Sequence, residues 1–363
     1  MDQRIFQIAV SLLNGLGPLA TKTLIRHVGD LEEVFTASSQ SLGKIDSVRP
    51  SVVSKLERSR AIERAKKEVD FIEENNIQLY FYQDINYPKA LKECPDGPIV
   101  LFTLGKINFN RRNISIVGTR RSTSYGKKMT DELIRGLAPY NVQIISGLAH
   151  GIDKISHEAA ISNALPTIGV LGHGLDTMYP AAHRSLAKKM TENGGLVTEF
   201  ISGVVGEPGN FPRRNRIVAG LSEATVVVES SETGGSMITA NLANDYNREV
   251  FAFPGPADKE SSRGCNNLIR RSRAHLISSA ENLIQVMGWD EIEENKSEHI
   301  QILEDLSEEE TKIVAVFSEK GVLDIDTLAF ESALNPSQIS VHLFNLEMKG
   351  AVKSLPGKRF CLA

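Results

Sequence analysis

Three short apolar runs that each end in glycine stand out in the middle of the chain. They cover residues 113–118, 142–147 and 167–172, and polar, glycine-containing turns follow each of them. A β-branched apolar run predicts a buried strand, and the turn after it predicts a loop leading into a helix. Glycine lets the backbone approach a ligand closely, and the first N–H groups of a helix lack intrahelical acceptors. The pattern therefore predicts a row of turns that binds anionic oxygens, above all phosphate.

The same alternation of strand and helix continues further along the chain. Four more strands are predicted at 195–199, 224–230, 249–254 and 274–278. Helices are predicted between and after them, at 181–193, 215–222, 236–247 and 280–287. Strands without period-two alternation, each separated by a helix, are typical of a parallel sheet covered on both faces. We therefore expect an α/β fold, a Rossmann-like doubly wound parallel sheet with right-handed crossovers.

The 363 residues are enough for several domains. We expect an N-terminal helical domain at residues 1–75 and an extended Rossmann-like domain at 76–288. An acidic linker at 289–306 and a winged-helix-like domain at 307–363 should follow. The winged-helix-like domain is predicted from three helices, at 308–318, 325–332 and 336–348. A hairpin follows them, with strands at 351–354 and 359–362 joined around Pro356-Gly357.

The two outer domains each have competing interpretations. Gly15-Leu16-Gly17 between two apolar helices resembles a helix-hairpin-helix (SAM-like) turn that contacts a DNA phosphate, or it is a tight helix–helix corner. With only Lys22 and Arg26 nearby, the corner is favoured, since phosphate affinity depends on cations. The third C-terminal helix has no lysine or arginine from 337 to 348. A protein contact or a spacer therefore fits it better than major-groove recognition.

Charge and cysteine content narrow the class of protein. The net charge is -4, yet residues 111–288 carry 20 Lys+Arg against 16 Asp+Glu, whereas 289–306 carry 1 against 7. A polyanion is therefore expected to meet the middle of the chain. The three cysteines have no paired spacing. This argues against a disulfide framework or a cysteine zinc site and fits a cytoplasmic protein, for which we expect neither a signal peptide nor a membrane span.

The first two predicted turns offer phosphate donors. Gly118, Thr119, Arg120 and Arg121 follow the first strand, and the planar guanidinium group binds phosphate through two parallel hydrogen bonds. A solvated charged turn is the alternative. In the second turn Ser146 and Gly147 are expected to bind phosphate. Asp153 accepts there from a main-chain N–H or a sugar hydroxyl, or it caps the helix.

Three more segments complete the predicted phosphate site. Gly172, Gly174 and Tyr179 form the third turn, where Tyr179 either stacks on a base or is buried against the sheet. Arg213, Asn215 and Arg216 lie at a helix start, with the two arginines on one helical face. A surface charge cluster is their alternative role. Gly235 and Ser236 open another helix with free N–H groups.

Catalytic and metal-binding patterns are missing from the sequence. It has no Gly-x-Gly-x-x-Gly fingerprint and no Walker lysine loop. His150 and His157 lack the spacing with carboxylates that a metal site or acid–base pair requires. No activated nucleophile stands out. We therefore expect a binding protein without a cofactor or metal, not an enzyme.

The chain resembles the bacterial DNA-processing protein A family (DprA, also called Smf). Seven segments match in family order, at 117–126, 146–153, 170–180, 211–222, 234–240, 253–255 and 264–269. The resemblance implies a single-stranded DNA-binding protein that protects incoming strands and loads the RecA recombinase in natural transformation (competence) and DNA recombination. It also implies a homodimer through the Rossmann-like domain. Arg120 is then the leading DNA contact. The resemblance implies that the following residues line the phosphate pocket with it: Ser146, Gly147, Gly172, Gly174, Arg213, Asn215 and Arg216.

One departure from the family concerns the residue after Tyr179-Pro180. The family often has lysine there, whereas this chain has Ala181. The expected replacement is His183 or Arg184, or alternatively the cluster Arg270, Arg271 and Arg273.

Two other functions remain open from the sequence. The same sheet resembles nucleoside-monophosphate phosphoribohydrolases, although residues 233–239 lack the proline and glutamate of their loop. A transcription factor acting through residues 307–363 is disfavoured by the charge of that segment.

Overall fold

A computed structural model describes residues 2–45, 48, 50–289, 306–321, 323–332, 334–349, 351–355 and 359–362. The chain forms two compact units, Met1–Leu283 and Ile284–Ala363. The predicted division into four segments differs from this two-unit description and remains a prediction. Most of the acidic linker and the turn of the C-terminal hairpin lie outside the described residues.

A nine-stranded sheet forms the centre of the first unit. Its strands are β1 Gln78–Phe81, β2 Val100–Gly105, β3 Arg112–Val117, β4 Val142–Ser146, β5 Thr167–Val170, β6 Gly194–Thr198, β7 Ala224–Val227, β8 Glu249–Ala252 and β9 His275–Leu276. Their spatial order is β1-β2-β6-β5-β4-β3-β7-β8-β9. The strands from β3 to β9 pair in parallel, and β1 and β2 add an antiparallel edge.

The strand order reverses next to β3. The chain runs outward from β3 through β4 and β5 to β6, and then returns to β7 on the other side of β3. In doubly wound sheets ligands bind above the carboxyl ends of the strands at such a reversal. The three glycine-ended runs are β3, β4 and β5, so their turns meet at this edge, as predicted.

The helices of the first unit are α1 Gln3–Ser11, α2 Pro18–Val28, α3 Leu31–Thr36, α4 Ser39–Leu42, α5 Pro50–Val53, α6 Arg58–Glu74, α7 Lys89–Glu93, α8 Ser124–Leu137, α9 Ile152–Ser162, α10 Arg184–Met190, α11 Asn210–Leu221, α12 Gly235–Asp245, α13 Glu260–Arg270 and α14 Ala280–Val286, which ends in the second unit. The helix predicted at 181–193 is a 3₁₀ turn, Ala181–His183, followed by α10. The predicted helix at 215–222 begins five residues earlier than expected. Proline is tolerated in a first helical turn, so Pro212 does not delay the start of α11.

The core explains why these segments fold as they do. Ile144 and Ile145 are consecutive residues of β4, so their side chains point to opposite faces of the sheet, and neither is exposed to solvent. The sheet is therefore covered on both faces. The N-terminal helices have their own apolar cluster, which includes Ile8, Leu24 and neighbouring residues of β1 and β2.

The Gly15-Leu16-Gly17 turn joins α1 and α2. Gly15 has a φ of +82°, and Gly17 precedes the first residue of α2. Lys22 donates to the carbonyl groups of Cys94 and Pro95, both at 3.4 Å. The ammonium group of Lys22 is therefore used in contacts with the segment after α7, which supports the interpretation of a helix–helix corner.

The second unit contains helices α15 Glu308–Lys320, α16 Ile325–Ser332 and α17 Pro336–Met348. Its sheet has the order β10-β12-β11, with strands Leu323–Asp324, Arg359–Leu362 and Val352–Leu355 respectively. Ser307 and Asn335 cap α15 and α17 through reciprocal hydrogen bonds with Glu310 and Gln338. The predicted helices and hairpin are confirmed, and the short strand β10 was not predicted.

Candidate nucleic-acid interface

A cleft of about 690 Å³ opens above the carboxyl ends of the strands at the reversal beside β3. Its lining comes from the loops after β3, β4, β5, β6 and β7 and from the first turns of α11 and α12. Eight of the predicted residues line it: Gly118, Thr119, Arg120, Gly147, Tyr179, Asn215, Gly235 and Ser236. Gly172 lines a small adjoining pocket together with Arg120 and Gly147.

The loop after β3 is fixed from two sides. The N–H of Thr119 donates to the carbonyl of Glu229 at 2.7 Å, and the N–H of Ile152 donates to the carbonyl of Thr119 at 3.2 Å. Gly151, with a φ of +76°, is so close that an added Cβ would lie 2.2 Å from the Thr119 oxygen. The backbone that carries Arg120 is therefore immobilised by its neighbours.

The side chain of Arg120 remains available to a ligand. Its guanidinium carbon lies 5.6 Å from the centre of the Phe211 ring, which orients the group across the cleft. Among the residues that the structure describes, no carboxylate lies within ion-pair distance of Arg120. A cation held on an aromatic ring without a carboxylate partner is suited to an incoming phosphate.

A buried carboxylate also supports this loop. Glu229 is 3% exposed and accepts from the N–H of Thr123 at 2.9 Å and from its hydroxyl at 2.7 Å. Thr123 in turn caps α8 through the N–H of Gly126. A side chain at position 126 would collide with Glu229, so glycine is required there. The sequence analysis did not single out Glu229 as a supporting residue.

The loop after β4 is organised by Asp153. Its carboxylate accepts from the N–H groups of Gly147 at 3.1 Å and Ala149 at 3.3 Å, which is the main-chain role considered for it. Burial raises the pKa of Asp153, and the positive charge of Arg214 partly offsets this effect. The hydroxyl of Ser146 donates to the carbonyl of Ile116 at 2.7 Å, inside the sheet. The structure therefore does not place the Ser146 hydroxyl in the cleft.

Arg214 is the main residue that the sequence analysis missed. It is 5% exposed, and one guanidinium nitrogen donates to the carbonyl groups of both Gly147 and Val170. This ties the end of β4 to the end of β5 beneath the cleft. Burial lowers the pKa of Arg214, and the negative charge of Asp153 counteracts this. Arg214 lines the cleft floor, whereas Arg213 and Arg216 do not line the cleft.

Arg213 and Arg216 share a helical face, as predicted, but that face meets Glu199. Arg216 is buried and lies 2.5 Å from the Glu199 carboxylate, whereas Arg213 is more exposed and lies at 3.7 Å. Arg213 also lies over the ring of Phe200, at 5.0 Å. The ion pairs therefore anchor α11, and the arginine that reaches the cleft is the one between these two.

Several other predicted residues lie outside the cleft lining. Arg121 and Arg184 are exposed. Gly174 packs against the segment after β6, where an added Cβ would lie 2.5 Å from the Ile201 carbonyl oxygen. The candidate replacements for the family lysine, Arg184, Arg270, Arg271 and Arg273, are all absent from the cleft lining.

Tyr179 is not buried against the sheet, and its stacking on a base stays a prediction. It is 52% exposed, and its ring centre lies 5.7 Å from that of Phe211. Its backbone is fixed, because its N–H donates to Nε2 of the buried His173 at 3.1 Å. The ring therefore rests on Phe211 and keeps a free face.

The start of α12 closes the cleft on the far side. No side chain caps this helix, and Gly234 and Gly235 leave its first turn bare. The hydroxyl of Ser236 donates to that of Ser230 at 2.8 Å. Uncapped N–H groups and a positive helix end both favour an anion here.

Of the two histidines considered for a metal or acid–base role, His150 is exposed and lines the small adjoining pocket, whereas His157 is buried within the fold. His157 has no solvent exposure, its Nδ1 lies 2.7 Å from the Thr167 hydroxyl, and burial lowers its pKa to about 3. Within the described ranges no group of histidine, cysteine, aspartate or glutamate is arranged to hold a metal ion.

In the same described part of the chain, no helix is both long and apolar enough to cross a bilayer.

Comparisons with known proteins agree with this architecture. The family model for DNA recombination-mediator protein A matches residues 78–288, and that for the DprA winged helix domain matches residues 299–358. Protein Smf from Synechocystis is 31% identical over 99% of this chain and 98% of its own length.

Two solved structures are also similar. DNA processing protein A from Streptococcus pneumoniae superposes with a TM-score of 0.66 and 29% identity, over 77% of this chain and 97% of that one. The Helicobacter pylori protein, whose structure was determined for its single-stranded DNA binding mode, gives 0.54 and 30%, over 59% and 96%. The fold class is therefore confirmed, including the winged helix, and the chain belongs to the DNA recombination-mediator protein A (DprA/Smf) family.

Proposed function

We propose that this protein binds single-stranded DNA without sequence preference through the cleft beside β3. The observation that carries the proposal is the guanidinium group of Arg120. It lies on Phe211, without a carboxylate partner among the described residues, and the uncapped start of α12 lines the same cleft. A phosphate between these groups meets an arginine fork and bare N–H groups together.

The aromatic pair at the cleft suits a single strand better than a duplex. The free face of Tyr179 is available to an unpaired base, and stacking of this kind contributes about 1–3 kcal/mol per base whatever the sequence. A duplex has no exposed base faces. The known binding of single strands by the Helicobacter pylori relative supports the same ligand.

The cellular role proposed here follows from family membership. The protein would protect incoming single strands and load the RecA recombinase onto them in natural transformation and recombination. It would act as a homodimer through the Rossmann-like domain.

Binding is proposed rather than catalysis. The carboxylate that lines the cleft, Asp153, accepts from the N–H groups of Gly147 and Ala149 and so serves the loop itself. A general base must reach the proton that it removes. Incubation with nucleoside monophosphates is therefore expected to release no free base, and release would favour the phosphoribohydrolase alternative.

The decisive experiment is fluorescence anisotropy with labelled oligothymidylate and a matched duplex at several salt concentrations. Arg120→Ala should weaken single-strand binding about ten- to hundredfold, because a hydrogen bond to a charged group contributes about 1.5–3 kcal/mol. The slope of log affinity against log salt should fall by about 0.7, the value for one phosphate contact.

Arg121→Ala is the matched control, since it removes the same charge one residue outside the cleft lining. Arg121→Ala should weaken single-strand binding less than Arg120→Ala does. Equal binding by wild type and Arg120→Ala would remove the cleft from the proposal. Adding RecA with single-strand-binding protein tests the loading role separately, through the rate of filament formation.

A further inference from the structure

The segment between β6 and α11, residues 199–209, forms one wall of the cleft. Gly206 and Pro208 line the cleft directly. The segment leads into the first turns of α11, which carry Phe211 and Arg214. Any shift of this wall therefore changes the position of the aromatic ring under Arg120.

One residue of the wall is held by the N-terminal helix α6. Both carboxylate oxygens of Glu68 are used, one accepting from the N–H of Ser202 at 2.9 Å and the other from its hydroxyl at 2.6 Å. Arg64 donates to the Ser202 carbonyl at 2.6 Å and to its hydroxyl oxygen at 2.8 Å. Every polar group of Ser202 is therefore bound by two side chains of α6.

This clamp, formed by Arg64 and Glu68 on Ser202, is buried at Glu68 and partly exposed at Arg64. Arg64 and Glu68 are one helical turn apart and 2.9 Å from each other, and the side chain of Glu68 is only 2% exposed. Loss of one partner from a buried, hydrogen-bonded ion pair leaves the other unpaired in a medium that solvates it poorly. Removing Glu68 from this contact is consequently costlier than removing one partner of an ordinary surface ion pair.

The wall is also fixed on its other side, by the loop after β5. The N–H of Gly203 donates to the carboxylate of Asp176 at 2.9 Å, and the N–H of Gly174 donates to the carbonyl of Val204 at 2.9 Å. Gly206 lies against the ring of Tyr179. The position of Ser202 is therefore transmitted both to the start of α11 and to the loop that carries Tyr179.

We propose that Arg64 and Glu68 are positioning residues for the DNA site. By holding Ser202 they set the width of the cleft, so that the N-terminal helical region controls single-strand affinity without contacting the strand. This inference rests on the proposed function. It gives that region a role different from a helix-hairpin-helix contact through Gly15-Leu16-Gly17.

The test compares two glutamate variants of the same helix. Glu68→Gln places an amide donor against the Ser202 donors, whereas Glu63→Gln makes the same charge change at an exposed position. Coupling between two sites commonly changes affinity by about 5- to 150-fold. We expect Glu68→Gln to bind oligothymidylate about tenfold more weakly and Glu63→Gln to bind as wild type.

Hydrogen exchange separates positioning from a loss of stability. In Glu68→Gln the amides of residues 203–209 should exchange faster while those of the central strands remain protected. By reciprocity, oligothymidylate should slow exchange in residues 64–72 of wild type. Protection at residues 14–22 instead would indicate a direct strand contact and overturn the inference.

Affinity gives the second criterion. Equal affinity of Glu68→Gln and Glu63→Gln would overturn the inference, while weaker binding by Arg120→Ala in the same assay would leave the proposed function standing. If Glu68→Gln fails to fold, Ser202→Ala takes its place, because it removes only the hydroxyl group held by Arg64 and Glu68. The same hydrogen-exchange and affinity measurements then test the inference.

Discussion

Gly151 is the position where a single added methyl group should weaken both the stability of the fold and DNA binding. Its φ of +76° and ψ of -128° lie in a region that side chains rarely adopt. An added Cβ would lie 2.2 Å from the Thr119 oxygen and 2.6 Å from the Arg120 carbonyl carbon. Contacts below 3.0 Å are essentially never seen for Cβ atoms. Because the surrounding core is close-packed, the Arg120 loop has to move by about 1 Å.

The expected effects of Gly151→Ala follow from this geometry. A residue held in a sparsely populated backbone region costs about 1–3 kcal/mol, so urea unfolding should show a loss of that size. Displacement of Arg120 should also weaken oligothymidylate binding about tenfold or more, approaching the effect of Arg120→Ala.

Gly209→Ala is the matched control for this variant. Gly209 precedes α11 with a φ of -68°, and its Cβ would meet no atom within 4 Å. We expect unchanged binding and equal or slightly greater stability. The reasoning fails if Gly151→Ala binds within about twofold of wild type, since that would mean that the Arg120 loop is not fixed by its neighbour.

Two further predictions concern groups beneath the cleft. Arg214→Met should lower the free energy of unfolding by about 3–5 kcal/mol, because two carbonyl groups and Asp153 lose their cationic partner. Arg213→Met should lower it by less than about 1 kcal/mol, because Arg213 is exposed. Equal losses for the two variants in urea titrations would contradict the supporting role assigned to Arg214. Burial lowers the pKa of His157 to about 3 from 6.5, so its unfolded form takes up a proton first. The contribution of neutral His157 to the free energy of unfolding should be fully present above pH 6.5. It should decrease by up to about 1.4 kcal/mol per pH unit as the pH falls towards 3. In His157→Gln the free energy of unfolding should depend less steeply on pH across this range. An unchanged slope in urea titrations would refute the prediction.

The sequence was sufficient to predict the doubly wound sheet and the edge at which its three glycine-ended strands place their turns. Strands β3, β4 and β5 are short β-branched runs, and the glycine after each marks its end. Helix α13 escaped detection because Gly264 and two asparagines weaken its helical propensity, although Cys265 and Leu268 are buried.

The roles of the arginines in α11 could not be read from the sequence. Arg213, Arg214 and Arg216 differ only in which neighbour each meets, and that depends on the register of α11 against Glu199 and the ends of β4 and β5. Glu199 comes from the end of another strand. Helical spacing correctly paired Arg213 with Arg216, but it could not show that their shared face is directed away from the cleft.

The Ser202 clamp was similarly invisible before the fold was known. It joins residues more than a hundred positions apart, and nothing in the local sequence around Glu68 distinguishes it from the exposed glutamates of α6. Long-range contacts of this kind arise from the packing of separate elements, whereas periodicity reports only one element at a time.

The most direct measurement of the central claim is a crystal structure of the full chain with oligothymidylate bound. We predict a strand whose phosphate lies between Arg120 and the start of α12, with a base against the free face of Tyr179. A strand bound elsewhere, with this cleft unoccupied, would contradict the account.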